Sequence, residues 1–158
     1  MKLRRIAGLT VGLLATSIMA APAFAGPVTN LFVRSHAAEA KGKLADAVLL
    51  AQAAVVADPA RATSYVSLAD LYARHQEFRD AWKYYAEALG INPTLAAALN
   101  GAGKTELALG NRQGAKGFLA RLQKSCGADC SETRNLATAL KTSQISQPDS
   151  KAASLDKH

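Results

Sequence analysis

Cys126 and Cys130 are the only cysteines in a chain of 158 residues. Two sulfurs separated by Gly127-Ala128-Asp129 admit three kinds of chemistry. They can close a disulfide if the intervening residues turn, because the Cα atoms then come within the roughly 4.4–6.8 Å that the bond needs. They can cycle as a redox pair, or hold a soft metal such as Cu(I) as thiolates. The familiar redox pattern has two residues between its cysteines, at a helix start that follows a strand. Here there are three, and no strand pattern precedes them. Further metal ligands are remote: the only methionines are Met1 and Met19, and the only histidines His36, His75 and His158.

The other chemistry-bearing residues favour structure over catalysis. His36 falls on a helical stretch as a solvated residue. His75 falls at a helix C-terminus, where a positive charge suits the helix dipole. The run Gly101 to Gly110, "GAGKTELALG", invites a nucleotide reading, but positions 97 and 98 are both alanine where the phosphate loop needs an earlier glycine. No nucleophile elbow and no metalloprotease pair occurs. The residues imply no cofactor, no bound metal and no enzyme.

Export decides between the cysteine readings. Lys2, Arg4 and Arg5 precede an apolar run from Ile6 to Ala20, and Ala23-Phe24-Ala25 offers a small-x-small cleavage site. Residues 1–25 therefore read as a signal peptide. The apolar run is short for a span, which needs about 20 residues. No later run is longer, so no stable membrane span is expected after cleavage. The type of signal suits a bacterium, with a periplasmic or secreted product. In that compartment an even number of cysteines argues for a Cys126–Cys130 disulfide, with a metal-binding or redox accessory role as the alternative.

The net charge of +7 shrinks once the leader is removed. Residues 26–158 carry 16 basic and 12 acidic groups, with no dense cationic block. Nucleic acid is thereby excluded as a partner. Alanine supplies 34 residues and aromatics only nine, which favours closely packed helices over a sandwich or barrel.

What positions these residues is a period. Pro59 and Pro93 lie 34 residues apart, each after a helical stretch. The same step carries Leu31 onto Tyr65 and Leu99, Ser35 onto Ala69 and Gly103, and Ala47 onto Ala81 and Ala115. Each copy splits into two helices at Gly42, Gln76 or Gly110, where a left-handed residue can end a helix. Small side chains at the crossings let the two backbones approach. Helices are expected over 28–41, 44–57, 62–74, 78–90, 95–109, 112–124 and 129–142. From 142 to 158 the chain is polar and aperiodic, and reads as a disordered tail.

The segment Ala62 to Thr94 resembles a tetratricopeptide repeat. Tyr65, Leu68, Ala69 and Tyr72 fill the slots of its first helix. Ala81, Tyr85 and Ala88 fill those of the second, and Pro93 closes the unit. The flanking copies depart at Arg34, Glu106 and Gly127. The resemblance implies an all-α solenoid of three repeats (about 28–61, 62–95 and 96–127) over residues 26–141, closed by a cap helix at 129–141. It also implies a concave face, formed by the first helix of each pair, that binds a protein or peptide partner. Mapped there are Phe32, His36, Val66, Asp70, Ala73, Asn100, Lys104 and Leu107. The basic and asparagine pattern with which some relatives clamp a C-terminal carboxylate is not matched, because Phe32 and Asp70 stand where Lys and Asn are wanted. Three repeats are near the minimum for independent stability, which leaves room for a homo-oligomer stacked through the first helix.

Overall fold

The computed structural model describes residues 26–146. The leader expected over 1–25 and the segment 147–158 lie outside the described residues. Among the described residues seven helices follow one another: α1 Pro27–Ala40, α2 Leu44–Ala57, α3 Ala62–Arg74, α4 Phe78–Ile91, α5 Ala96–Ala108, α6 Arg112–Cys126 and α7 Ser131–Ser146. No strand occurs among the described residues, so the expected all-α solenoid holds. α1 packs on α2, α3 on α4 and α5 on α6, and each pair stacks on the next. None of these helices is long and apolar enough to cross a membrane.

The small residues sit where pairs cross. Ala47, Ala81 and Ala115 on the second helices are fully buried, as is Ala69 on α3. In the first pair Ser35 takes the small slot and donates its hydroxyl to the Ala47 carbonyl at 2.8 Å, so the crossing stays polar yet satisfied. In the third pair the slot is Gly103, where a Cβ would lie 2.4 Å from the Leu136 side chain of α7. That close approach seats the cap helix, whose Leu136 and Leu140 are buried in the main core.

The three intra-pair turns share one backbone solution. Gly42, Gln76 and Gly110 all have positive φ, at 73°, 63° and 82°. Glycine adopts this region at no steric cost, whereas Gln76 carries the strain of a Cβ there. Only α6 among the first six helices has a side-chain cap, Asn111 accepting from the Gly114 amide at 3.0 Å. The other ends rely on backbone bonds such as Glu77 N–H to Tyr72 O.

The core has two parts. The larger joins α3 to α7. The smaller, between the first two pairs, holds Ala47, Ala51, Leu68 and Leu71. Tyr72 and Tyr84 stack in parallel with centroids 5.4 Å apart and pack against both.

The C-terminal helix corrects one expectation. α7 runs to Ser146, so residues 142–146 are helical rather than the start of a tail. The Thr142 and Ser143 side chains suit a helix because they bond back to it. Thr142 Oγ1 donates to the Thr138 carbonyl and Ser143 Oγ to that of Leu140, while Arg112 donates to Ser143 at 2.6 Å.

Candidate functional site

The two cysteines flank the α6–α7 turn. Cys126 ends α6 and Cys130 stands just before α7, and their sulfurs are bonded at 2.07 Å with Cα atoms 5.8 Å apart. Gly127 takes φ 87° between them. Thr133 donates to the Gly127 carbonyl at 2.8 Å and Arg134 to that of Asp129 at 2.6 Å. The loop closed is short, so its value is local: it holds the angle at which α7 docks. No group of three or more His, Cys, Asp or Glu side chains among the described residues is arranged to hold a metal.

The second site is a hollow of about 460 Å³ between α3, α5 and α7. Five of the residues expected on the concave face line it: Val66, Asp70, Ala73, Asn100 and Lys104. Leu107 lies in an adjoining hollow of about 580 Å³, which shares Lys104 and Asn135 with the first. The two make one groove along α5 and α7. Phe32 and His36 take no part in it. Phe32 is half-buried against the smaller core, and His36 is an exposed neighbour of Glu39, with Nδ1 3.6 Å from the carboxylate.

Other lining residues carry weaker signals in the sequence. Arg74 lies one turn beyond Asp70 on the same face of α3, a signal that i, i+4 spacing carries. Gly101 follows Asn100. Glu132 and Asn135 come from α7, which stands outside the repeat register, so no period points to them.

The groove's polar groups are individually positioned. Tyr85 Oη, reaching across from α4, donates to Asp70 Oδ1 at 2.5 Å. Burial and the neighbouring carboxylate push the Tyr85 phenol well above its ordinary range. Its ring lies against the backbone of Gly101, where a Cβ would come within 2.3 Å of it. The Arg74 guanidinium is turned away to Glu39 of α1, with bonds of 2.9 and 2.8 Å. That contact, aided by His75, holds the Glu39 carboxyl below its ordinary range. Glu132 is likewise held low by the Ser131 hydroxyl. Asn100 Oδ1 is closed off from solvent and accepts no hydrogen bond. Leaving such a group unpaired costs about 1–3 kcal/mol. The groove thus offers an acceptor at Asp70, a cation at Lys104 and an apolar wall from Val66, Ala73 and Phe78, with Asn100 in its lining. This set can bind and orient a ligand.

Neither a protein-family model nor a curated protein sequence matches the chain. Solved structures do. The first tetratricopeptide domain of Spaghetti (RPAP3), bound to the HSP90 peptide SRMEEVD, is 19% identical, with 76% of this chain and 96% of that one covered and a TM-score of 0.63. The TPR2B domain of yeast Sti1, in a complex with pHsp70, is 15% identical over 76% of this chain and 98% of that one, with a TM-score of 0.66. The Sgt2 tetratricopeptide domain from Aspergillus fumigatus is 19% identical over 80% and 87%, with a TM-score of 0.65. The fold is therefore that of a tetratricopeptide-repeat domain.

Proposed function

We propose that the protein is an exported, non-enzymatic interaction scaffold that holds a peptide segment or helix of a partner protein in the groove along α3, α5 and α7. The observation that carries this is the hollow itself. It is apolar on one side, with Asp70, Asn100 and Lys104 brought together on the other. Two of the similar domains are recorded with chaperone peptides or partners bound, which supports a peptide as occupant. The leader-like residues 1–25 and the paired cysteines support a periplasmic or secreted setting. A thiolate metal site finds less support, because the two sulfurs are bonded to each other, and a redox role finds less because three residues rather than two separate them and no strand precedes them.

The test is a photo-crosslinking residue placed at Ala97, which lines the hollow, against a control at Arg79, in cells expressing the full chain. The reading requires a distinct protein captured from Ala97 alone, in the envelope or medium fraction. Asp70→Ala with Lys104→Glu should weaken that capture with helicity intact. Equal capture from both positions, or none from Ala97, overturns it. Amino-terminal sequencing of the same sample reports whether the chain starts at Gly26.

A further inference from the structure

α2 is apolar almost all round. Of its fourteen residues only Asp46 and Gln52 are polar. Ala47, Ala51 and Ala54 face inward, and Gln52 donates to the Tyr72 hydroxyl. On the opposite side no element covers it among the described residues. Leu49 is 66% exposed and Val56 79%. A surface helix normally turns charged residues to water, and one that is hydrophobic all round is normally buried. The outer side of the first pair has the composition of a covered surface.

Charge says what covers it. Near the α1–α2 turn this surface sinks into a hollow of about 460 Å³, floored by Ala37, Ala38, Leu49 and Leu50. Arg34, Lys41 and Lys43 rim it, against the single anion Asp46. None of the three cations is ion-paired among the described residues. We propose that this basic-rimmed apolar shelf docks an acidic amphipathic helix of a partner protein. Leucine-sized side chains would fill the floor while flanking carboxylates meet the rim.

A second copy of the chain fits poorly. A two-fold contact would set Arg34, Lys41 and Lys43 against the same residues of the other copy. An end-to-end contact would set them against α7, which exposes Arg134 and Lys141. A bilayer also fits poorly, since a flat surface leaves the hollow empty and presses Asp46 toward lipid phosphates. The shelf shares no residue with the groove of α3, α5 and α7, so it stands whether or not that groove binds a peptide.

The test uses the isotope-labelled protein as purified and three probes. These are a helical peptide of about 18 residues with leucines on one face and glutamates beside them, its twin with lysine for each glutamate, and vesicles of phosphatidylcholine with phosphatidylglycerol. The glutamate peptide should shift the amide resonances of Ala37, Leu49 and Leu50, and the twin should bind at least about tenfold more weakly. Added salt should weaken the glutamate peptide, since the rim charges are exposed. The triple variant Arg34→Glu, Lys41→Glu, Lys43→Glu should reverse the preference with an unchanged circular dichroism spectrum. The proposal is overturned by equal binding of the two peptides, by shifts confined to the other groove, or by no binding. It is equally overturned by vesicle binding without peptide binding, or by shelf shifts that appear with protein concentration alone.

Discussion

The Tyr85 hydroxyl of α4 donates a 2.5 Å hydrogen bond to Asp70 of α3, so a residue of the helix pair's inner packing sets the direction of a carboxylate in the groove. Tyr85→Phe should cost about 1–2 kcal/mol, the worth of a bond to a charged acceptor that is only partly buried. The pH dependence follows from the raised Tyr85 phenol. Above the ordinary tyrosine value of 10.0 the folded chain keeps a proton that the unfolded chain releases. Stability therefore falls as pH rises past that value. Tyr72 is raised too, mainly by burial. An ultraviolet titration of the folded chain should find the Tyr85 and Tyr72 phenols ionising above the ordinary tyrosine value.

Gly101 leaves the room that Tyr85 occupies. Gly101→Ala puts a methyl group within 2.3 Å of the phenol ring and should lower stability by about 1–2 kcal/mol, overpacking outweighing the better helix propensity. Gly117→Ala is the matched control. Nothing lies within 4 Å of its added Cβ, so it should gain about 0.5–1 kcal/mol. Urea unfolding of both variants checks the contrast, and equal effects would contradict the wedge.

Gln76 takes the backbone conformation that Gly42 and Gly110 take at the equivalent turns, with φ 63°. Gln76→Gly removes the Cβ strain but loosens the unfolded chain. The first effect is about 1–2 kcal/mol and the second somewhat smaller, so a net gain of about 0.5 kcal/mol is expected. Thermal unfolding measures it, and a lower midpoint would mean that the Gln76 side chain is needed elsewhere.

Glu39 ties α1 to the end of α3 through both guanidinium bonds of Arg74. Its carboxyl lies below the ordinary 4.5, first because of the Arg74 hydrogen bond. The stabilisation is therefore present above that value and lost as pH falls through the lower folded value. Arg74 is nearly half exposed, so solvent screening keeps the effect below about 1 kcal/mol. Glu39→Gln should flatten the acid limb of a stability–pH profile and leave the alkaline limb unchanged.

Ala81 is fully buried where α4 crosses α3. Ala81→Asp buries an unpaired carboxylate there and should abolish the helical circular dichroism signal at neutral pH. Retained helicity would mean that the pair can separate locally.

The repeat was legible in the sequence because its information is local and recurs. Ser35, Ala69 and Gly103, set against Ala47, Ala81 and Ala115, mark crossings that only small side chains allow. Gly42, Gln76 and Gly110 mark turns, and all three have positive φ. Helices α2 and α3 begin and end where the periodicity puts them. The five groove residues on α3 and α5 follow from the same register, since equivalent positions on stacked helices share a face.

Everything that depends on reach between elements was decided by the tertiary structure. The resemblance maps Phe32 and His36 onto the concave face, but Phe32 packs against the smaller core, and His36 stands beside Glu39. Arg74 is drawn from the groove by a carboxylate 35 residues away in sequence. Glu132 and Asn135 wall the groove because a disulfide and Gly103 fix how α7 docks, and α7 obeys no period. A repeat specifies how neighbouring helices pack from the types of residue at fixed intervals. Which polar side chains then meet depends on where long side chains end in three dimensions, and on that a period is silent.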